Sequence, residues 1–292
     1  MAEITGLSLI HPDDEFGGQA YGTVDIVFVH GLQGAATTRF PKNEKTPEKL
    51  WLYDLLPNSL PTARILTFGY QSNVISLVNS NGSQISTLAE SLLESLSAFR
   101  APHQEASLFL SRVAPSRPLV FVAHSLGGLV VQKALIVAST RARADFVSIK
   151  RSTSAILFFA TPYHTDHKGI SNILRYLSGV RKCQGIREDF ICESQFQRNL
   201  DDTSAQLRQI QEDFEHLRVQ QSSEFSIDYF FEELPVANFG LTICKFTSVG
   251  EPNFKRVLAT LRRILRPSVE CVPSLQKHQQ GVSILNDLLN SA

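Results

Sequence analysis

The chain has 292 residues, with 28 Lys+Arg against 28 Asp+Glu, so its formal net charge is zero. That balance argues against a nucleic-acid binder held by global charge. Hydrophobic residues make up 43% and include 19 Phe, enough for a large core in one α/β domain with an insertion or in two small domains. The four cysteines, Cys183, Cys192, Cys244 and Cys271, form no C-x-x-C, and no His/Cys cluster has zinc spacing. Reduced thiols in an intracellular protein are the expectation, with no metal and no cofactor.

Residues 1–22 are polar and glycine-containing, a lead-in segment or a short edge strand. They carry neither the basic n-region nor the apolar core of a secretory signal, which favours a cytoplasmic location. Asp25 to Val29 is an apolar run of the kind buried on both faces of a sheet. It leads into His30-Gly31-Leu32-Gln33-Gly34, the strand-end H-G-x-x-G at which hydrolases place an oxyanion donor. That donor would be the N–H of Leu32 or a neighbour; the alternative is an ordinary glycine turn. His30 reads as a packed side chain rather than a base. Leu50 to Leu56 reads as a short helix stopped by Pro57, with Trp51 and Tyr53 in the core or lining a pocket.

Ala63 to Tyr70 is the next strand. From Ser83, apolar residues at Ile85, Leu88, Ala89, Leu92, Leu96 and Phe99 keep helical spacing until Pro102. A second helical piece, Gln104 to Val113, precedes the stretch PLVFVAHSLGGLVVQKA, residues 118–134. Here a buried strand meets a polar Ser125 and a helix opened by Gly127-Gly128, which is the context of a nucleophile elbow. The turn presents the Ser125 hydroxyl at the carboxyl end of the sheet and leaves the N–H of Leu126 for a developing oxyanion. Ala123 stands where G-x-S-x-G has its first glycine, and a small residue satisfies the crowding there. The bland alternative is a plain strand-to-helix turn with a solvated serine. Leu119 to Ala138, the most apolar window, is interrupted by His124, Ser125, Gln132 and Lys133, so it is a strand and helix and not a membrane span.

Ser139 to Arg151 is a basic connection, and Ser154 to Ala160 another buried strand ending at Thr161-Pro162-Tyr163-His164. Strands alternating with helices predict a doubly wound, mostly parallel sheet with helices on both faces and ligands at its carboxyl rim. Ser125, the Gly31 turn and Thr161 all fall at that rim. Residues 165–222 lack strand alternation, forming a helical insertion that either caps the site or is a surface excursion. Phe225 to Phe231 is a late strand followed by Glu232 and Glu233, where the acid of a Ser/acid/His triad sits; a solvated charge is the alternative. Leu241 to Thr247 reads as a last short strand and Asn253 to Arg266 as a closing helix. Its basic residues suit a helix C-terminus, and peripheral membrane contact is the second reading. From residue 267 to 292 the tail is polar. No G-x-x-x-x-G-K-[ST] and no G-x-G-x-x-G supports phosphate binding.

Together DIVFVHGLQG, LWLYDLLPNSLPTARILTFGY, PLVFVAHSLGGLVVQKALI, ILFFATP, FFEELP and CKF resemble the α/β-hydrolase domain of the serine-active-site-containing (lipase-like, DUF676-related) family. The likeness covers residues 20–266, the domain itself being 23–266, and in particular it resembles the fungal versions at the head of NACHT, ankyrin or TPR proteins. It implies a lipase- or esterase-like domain acting on an ester or lipid-like small substrate. Ser125 would be the nucleophile, Leu126 and Leu32 the oxyanion hole and Glu232 the acid. The family's mitochondrial and endoplasmic-reticulum members widen the expected location.

Two departures stand out. The family's T-P-H-R-G is Thr161-Pro162-Tyr163-His164-Thr165 here, and its base histidine, counted back from Cys244, falls at Gly240. No His lies between His216 and His278, and 234–244 is short for an acid loop, a strand and a His loop. A serine without a base is a poor nucleophile. Three readings stay open: a weak or inactive interaction or signalling module, a replacement base from His164 or His167, or a segment lost through a mis-spliced gene.

Overall fold

The computed structural model describes residues 5–11, 23–31, 51–71, 77, 83–101, 117–161, 193–220, 225–230, 246 and 248–265. Among these residues six strands form one sheet: β1 (Gly6–His11), β2 (Val24–Val29), β3 (Ala63–Gly69), β4 (Leu119–His124), β5 (Thr153–Phe159) and β6 (Ser226–Phe230). Their spatial order is β1-β3-β2-β4-β5-β6, parallel throughout except for β1, which runs antiparallel to β3 at one edge. The fold is α/β-hydrolase-like, as the alternation of strands and helices predicted. Chain order reverses at β2, whose neighbours are β3 on one side and β4 on the other. The crevice between β2 and β4 is therefore the topological switch point, where open α/β sheets bind ligands.

The inner strands β2, β4 and β5 are buried along nearly their whole length because both faces are covered, with only His124 at the end of β4 and Ser154 near the start of β5 half-buried. Val27, Val29, Phe121, Ala123, Ile156 and Phe158 point into one core. That core is closed by α2 (Ser83–Arg100), α3 (Leu126–Thr140), α4 (Ala144–Ser152) and α5 (Glu193–Gln220). Ile26, Phe28, Val120, Val122, Leu157 and Phe159 point to the other face, under α1 (Leu56–Ser59) and α6 (Pro252–Ile264). This alternation is the period-2 geometry of strands.

Several segments differ from the reading of the sequence. Pro57 does not stop a helix. Trp51–Leu55 forms a π-helical turn, and Pro57 sits in the first turn of α1, where a missing N–H costs nothing. Trp51 is core, edge-on to Phe28, Phe246 and Phe254. The basic connection contains α4, whose apolar residues Phe146 and Ile149 are too few to reveal a stripe in so charged a segment. Within 165–222, α5 buries Leu207, Ile210, Phe214 and Leu217 in the same core as α3, which puts this helix on a sheet face. The helical piece at Ser171 to Leu177, the piece at Gln104 to Val113 and, apart from Phe246, the strand at Leu241 to Thr247 lie outside the described residues. No helix among the described residues is long and apolar enough to cross a membrane.

The amino ends of the strands are tied by a buried charge cluster. Asp25, 1% exposed, accepts from Arg64 at 2.6 and 2.9 Å and from the buried Arg100, with Arg117 at 3.6 Å. Arg100 also donates to the carbonyl of Arg117 at 2.6 Å. One carboxylate thus joins β2, β3, α2 and the entry to β4, on the rim opposite Ser125.

Candidate active site

Ser125 lies between the last residue of β4 and the first of α3, with φ 50° and ψ −119°. Side chains larger than glycine's rarely adopt this region, and they persist there only when the surroundings enforce it. The enforcement is visible. The N–H of Ser125 donates to the carbonyl of Phe159 at 2.8 Å, fixing the elbow to the end of β5. The carbonyl of Ser125 accepts from the N–H of Gly128 at 3.0 Å and from the hydroxyl of Thr161 at 3.3 Å. The serine itself is only half-buried. Leu126 opens α3, so its N–H is among the first-turn donors that lack an acceptor within the helix.

Glycines let three strand ends meet here. A Cβ on Gly127 would lie 2.3 Å from the carbonyl oxygen of Val29 and 2.4 Å from that of His30. On Gly128 it would lie 2.2 Å from the hydroxyl of Thr161, and on Gly31 2.8 Å from the Cβ of Ser125. Residues following β2, β4 and β5 therefore converge within van der Waals contact at the switch point. This is the convergence expected from the sequence for the Gly31 turn, Ser125 and Thr161.

His30 is a packed residue and not a base. It is 2% exposed and stacks on Tyr70 with ring centroids 4.1 Å apart. Its Nε2 accepts from the backbone N–H of Tyr70 at 3.2 Å. Nδ1 therefore carries the proton, which it donates to the carbonyl of Gly31 at 2.9 Å. Burial is the main cause that lowers its pKa to about 4, with His124 adding to the effect against the hydrogen bonds at Gly31 and Tyr70. Both ring nitrogens are committed to holding the end of β2 at Gly31. Tyr70 completes the clamp by donating its hydroxyl to the carbonyl of His30, and burial raises its own pKa. Neither Tyr70 nor the left-handed Ala160, at φ 48°, was marked by any motif. Both act through contacts made only in the folded chain.

Leu32, Glu232, His164, His167 and Gly240 lie outside the described residues, as does the tail with His278. His216 is exposed on α5. Among the described residues no group of three His, Cys, Asp or Glu could hold a metal ion.

No family model matches the chain. It is similar to Protein SERAC1 of Danio rerio, 30% identical over 244 residues, and to Protein SERAC1 of Bos taurus, 26% identical over 244 residues. In both cases the match covers 79% of this chain and 33% of the relative, so the chain spans about a third of the length of these curated relatives. Among solved structures it is similar to a lipase-esterase related protein from Clostridium acetobutylicum (TM-score 0.35, 9% identity, covering 88% of this chain and 98% of that one). It is also similar to an esterase B from Lactobacillus rhamnosis (TM-score 0.38, 10% identity, covering 91% and 81%).

Proposed function

We propose that the chain is a serine-hydrolase-type domain, lipase- or esterase-like, belonging to the serine-active-site-containing family. The observation that carries this reading is the strained conformation of Ser125 at the switch point, between a buried strand and a glycine-opened helix. Similarity to SERAC1 over 79% of the chain supports the family. Those relatives are vertebrate proteins, and the fungal, NACHT-linked setting is a further part of the proposal.

In this mechanism the hydroxyl of Ser125 attacks the carbonyl of an ester, and the oxygen that becomes negative is received by the N–H groups of Leu126 and Leu32. An acyl-serine forms, the alcohol leaves, and water releases the acid. Glu232 serves as the acid that orients a base. The base itself is His164 or His167, which come three and six residues after Thr161 in the sequence. The substrate is an ester or a lipid-like small molecule. Peripheral membrane contact would come from the exposed basic face of α6, although Arg262 and Arg263 of that helix already bond Ser59 and Asp228.

A second reading has its own observation. His30 has both nitrogens engaged, and the family's base position holds Gly240. On this reading the domain is a weak or inactive hydrolase retained for interaction or signalling. Turnover of nitrophenyl esters of short and long acyl chain separates the two. The hydrolase reading predicts turnover that Ser125→Ala removes and that His164→Ala or His167→Ala lowers by about a thousandfold or more. Folded protein with no Ser125-dependent turnover would leave the interaction module standing.

A further inference from the structure

The strained elbow rests on a second strained turn. Ala160 follows β5 with φ 48°, the only non-glycine residue besides Ser125 in that region among the described residues. Its N–H donates to the carbonyl of Phe230 at the end of β6, at 2.9 Å. Phe230 in turn stacks on Phe159, with ring centroids 4.6 Å apart. The left-handed turn thus begins from two strand ends held together, and it delivers Thr161 over the start of α3. Thr161 is 2% exposed and fills the space that a Cβ on Gly128 would need. Its hydroxyl lies 3.3 Å from the carbonyl oxygen of Ser125.

The carbonyl of Ser125 and the N–H of Leu126 belong to one planar trans peptide, so they point in opposite directions. A hydrogen bond that holds the oxygen also aims the N–H. We propose that Thr161 is a positioning residue, whose hydroxyl braces the Ser125 carbonyl and so fixes both the strained serine and the direction of the Leu126 N–H. The left-handed turn at Ala160 holds that hydroxyl in place. The inference rests on Ser125 being the nucleophile and Leu126 an oxyanion donor. A residue that merely fills space over Gly128 would need Thr161's shape and not its hydroxyl.

Fluorophosphonate labelling of the whole chain, measured to saturation, separates the two roles, because it yields a bonding rate and a binding constant independently. Thr161→Val keeps the shape and removes the donor. Its bonding rate is expected to fall about tenfold, with the binding constant and melting temperature unchanged. Thr161→Ser, which restores the hydroxyl, is expected to label at the wild-type rate. Should the Val variant not fold, Thr161→Ala compared with Thr161→Ser makes the same test. A wild-type bonding rate in the Val variant overturns the proposal. Amide hydrogen exchange at Ser125 and Gly128 tests it without chemistry: both amides are expected to exchange faster in Thr161→Val and not in Thr161→Ser. Unchanged exchange overturns the brace whether or not the wild type labels. Faster exchange in Thr161→Val, when the wild type takes no label, leaves the brace in place and removes the hydrolase reading.

Discussion

Ser125 adopts a backbone conformation that costs on the order of 1–3 kcal/mol for a non-glycine residue. Its replacement by glycine relieves that cost, so Ser125→Gly is expected to raise stability by about 1 kcal/mol. A rise in urea midpoint at unchanged slope would show this; a fall would mean that the turn is not strained. The glycine beside it behaves in the opposite sense. A Cβ on Gly127 meets backbone carbonyls at the end of β2, which cannot swing aside like a side chain. Gly127→Ala is therefore expected to lower stability by about 1–3 kcal/mol, read from the same titration. His30 adds a pH dependence. Its pKa is about 4 in the folded chain and 6.5 when exposed, so the unfolded state binds the proton first. Its contribution is complete above pH 6.5 and is lost as pH falls toward 4. At about 1.4 kcal/mol per unit, the loss approaches about 3 kcal/mol. Urea midpoints at pH 7.5 and 4.5 should diverge more for the wild type than for His30→Gln; equal divergence would show that His30 is not the group responsible. Ser125, Gly127 and Gly31 were legible in the sequence because a strand, a serine and glycines at short spacing suffice to specify an elbow. Tyr70 and Ala160 were not, because their roles depend on partners about forty and seventy residues away in the chain.

At the level of elements, the clamp around Asp25 is the counterpart of the elbow. Three arginines converge on one buried carboxylate at the amino ends of the strands. Removing that carboxylate takes the shared counter-charge from the buried Arg100 and the half-buried Arg64 and Arg117, so Asp25→Asn is expected to cost about 3–5 kcal/mol. Equilibrium unfolding measures this, and a loss below about 1 kcal/mol would show that the cluster behaves as an exposed ion pair. The sequence concealed this cluster because its members come from four separate elements. It also concealed α4, with its sparse apolar face, and the π-helical turn before Pro57. The inner strands and α2 were legible because burial on both faces, or on one stripe, writes itself directly into the residue pattern. The closing helix was legible for the same reason. Its basic residues invited a membrane reading, yet Arg263 bonds Asp228 on β6 and Arg262 the carbonyl of Ser59. These contacts serve the fold.

For the molecule as a whole, the sheet order places the reversal between β2 and β4, and both of its lips carry residues of the proposed site. One lip is the end of β2 at His30 and Gly31, held by the contacts of His30 with Tyr70. The other is Ser125, held by Phe159, Gly128 and Thr161. The surrounding fold supplies a rigid base, with a charge clamp at one rim and two strained turns at the other. Whether this rim performs chemistry reduces to the reactivity of one hydroxyl. The most direct measurement is fluorophosphonate labelling of the folded wild type followed by mass-spectrometric mapping of the adduct. The account predicts a single adduct on Ser125 that Ser125→Ala abolishes. Folded protein carrying no adduct, or an adduct on another residue, would contradict it.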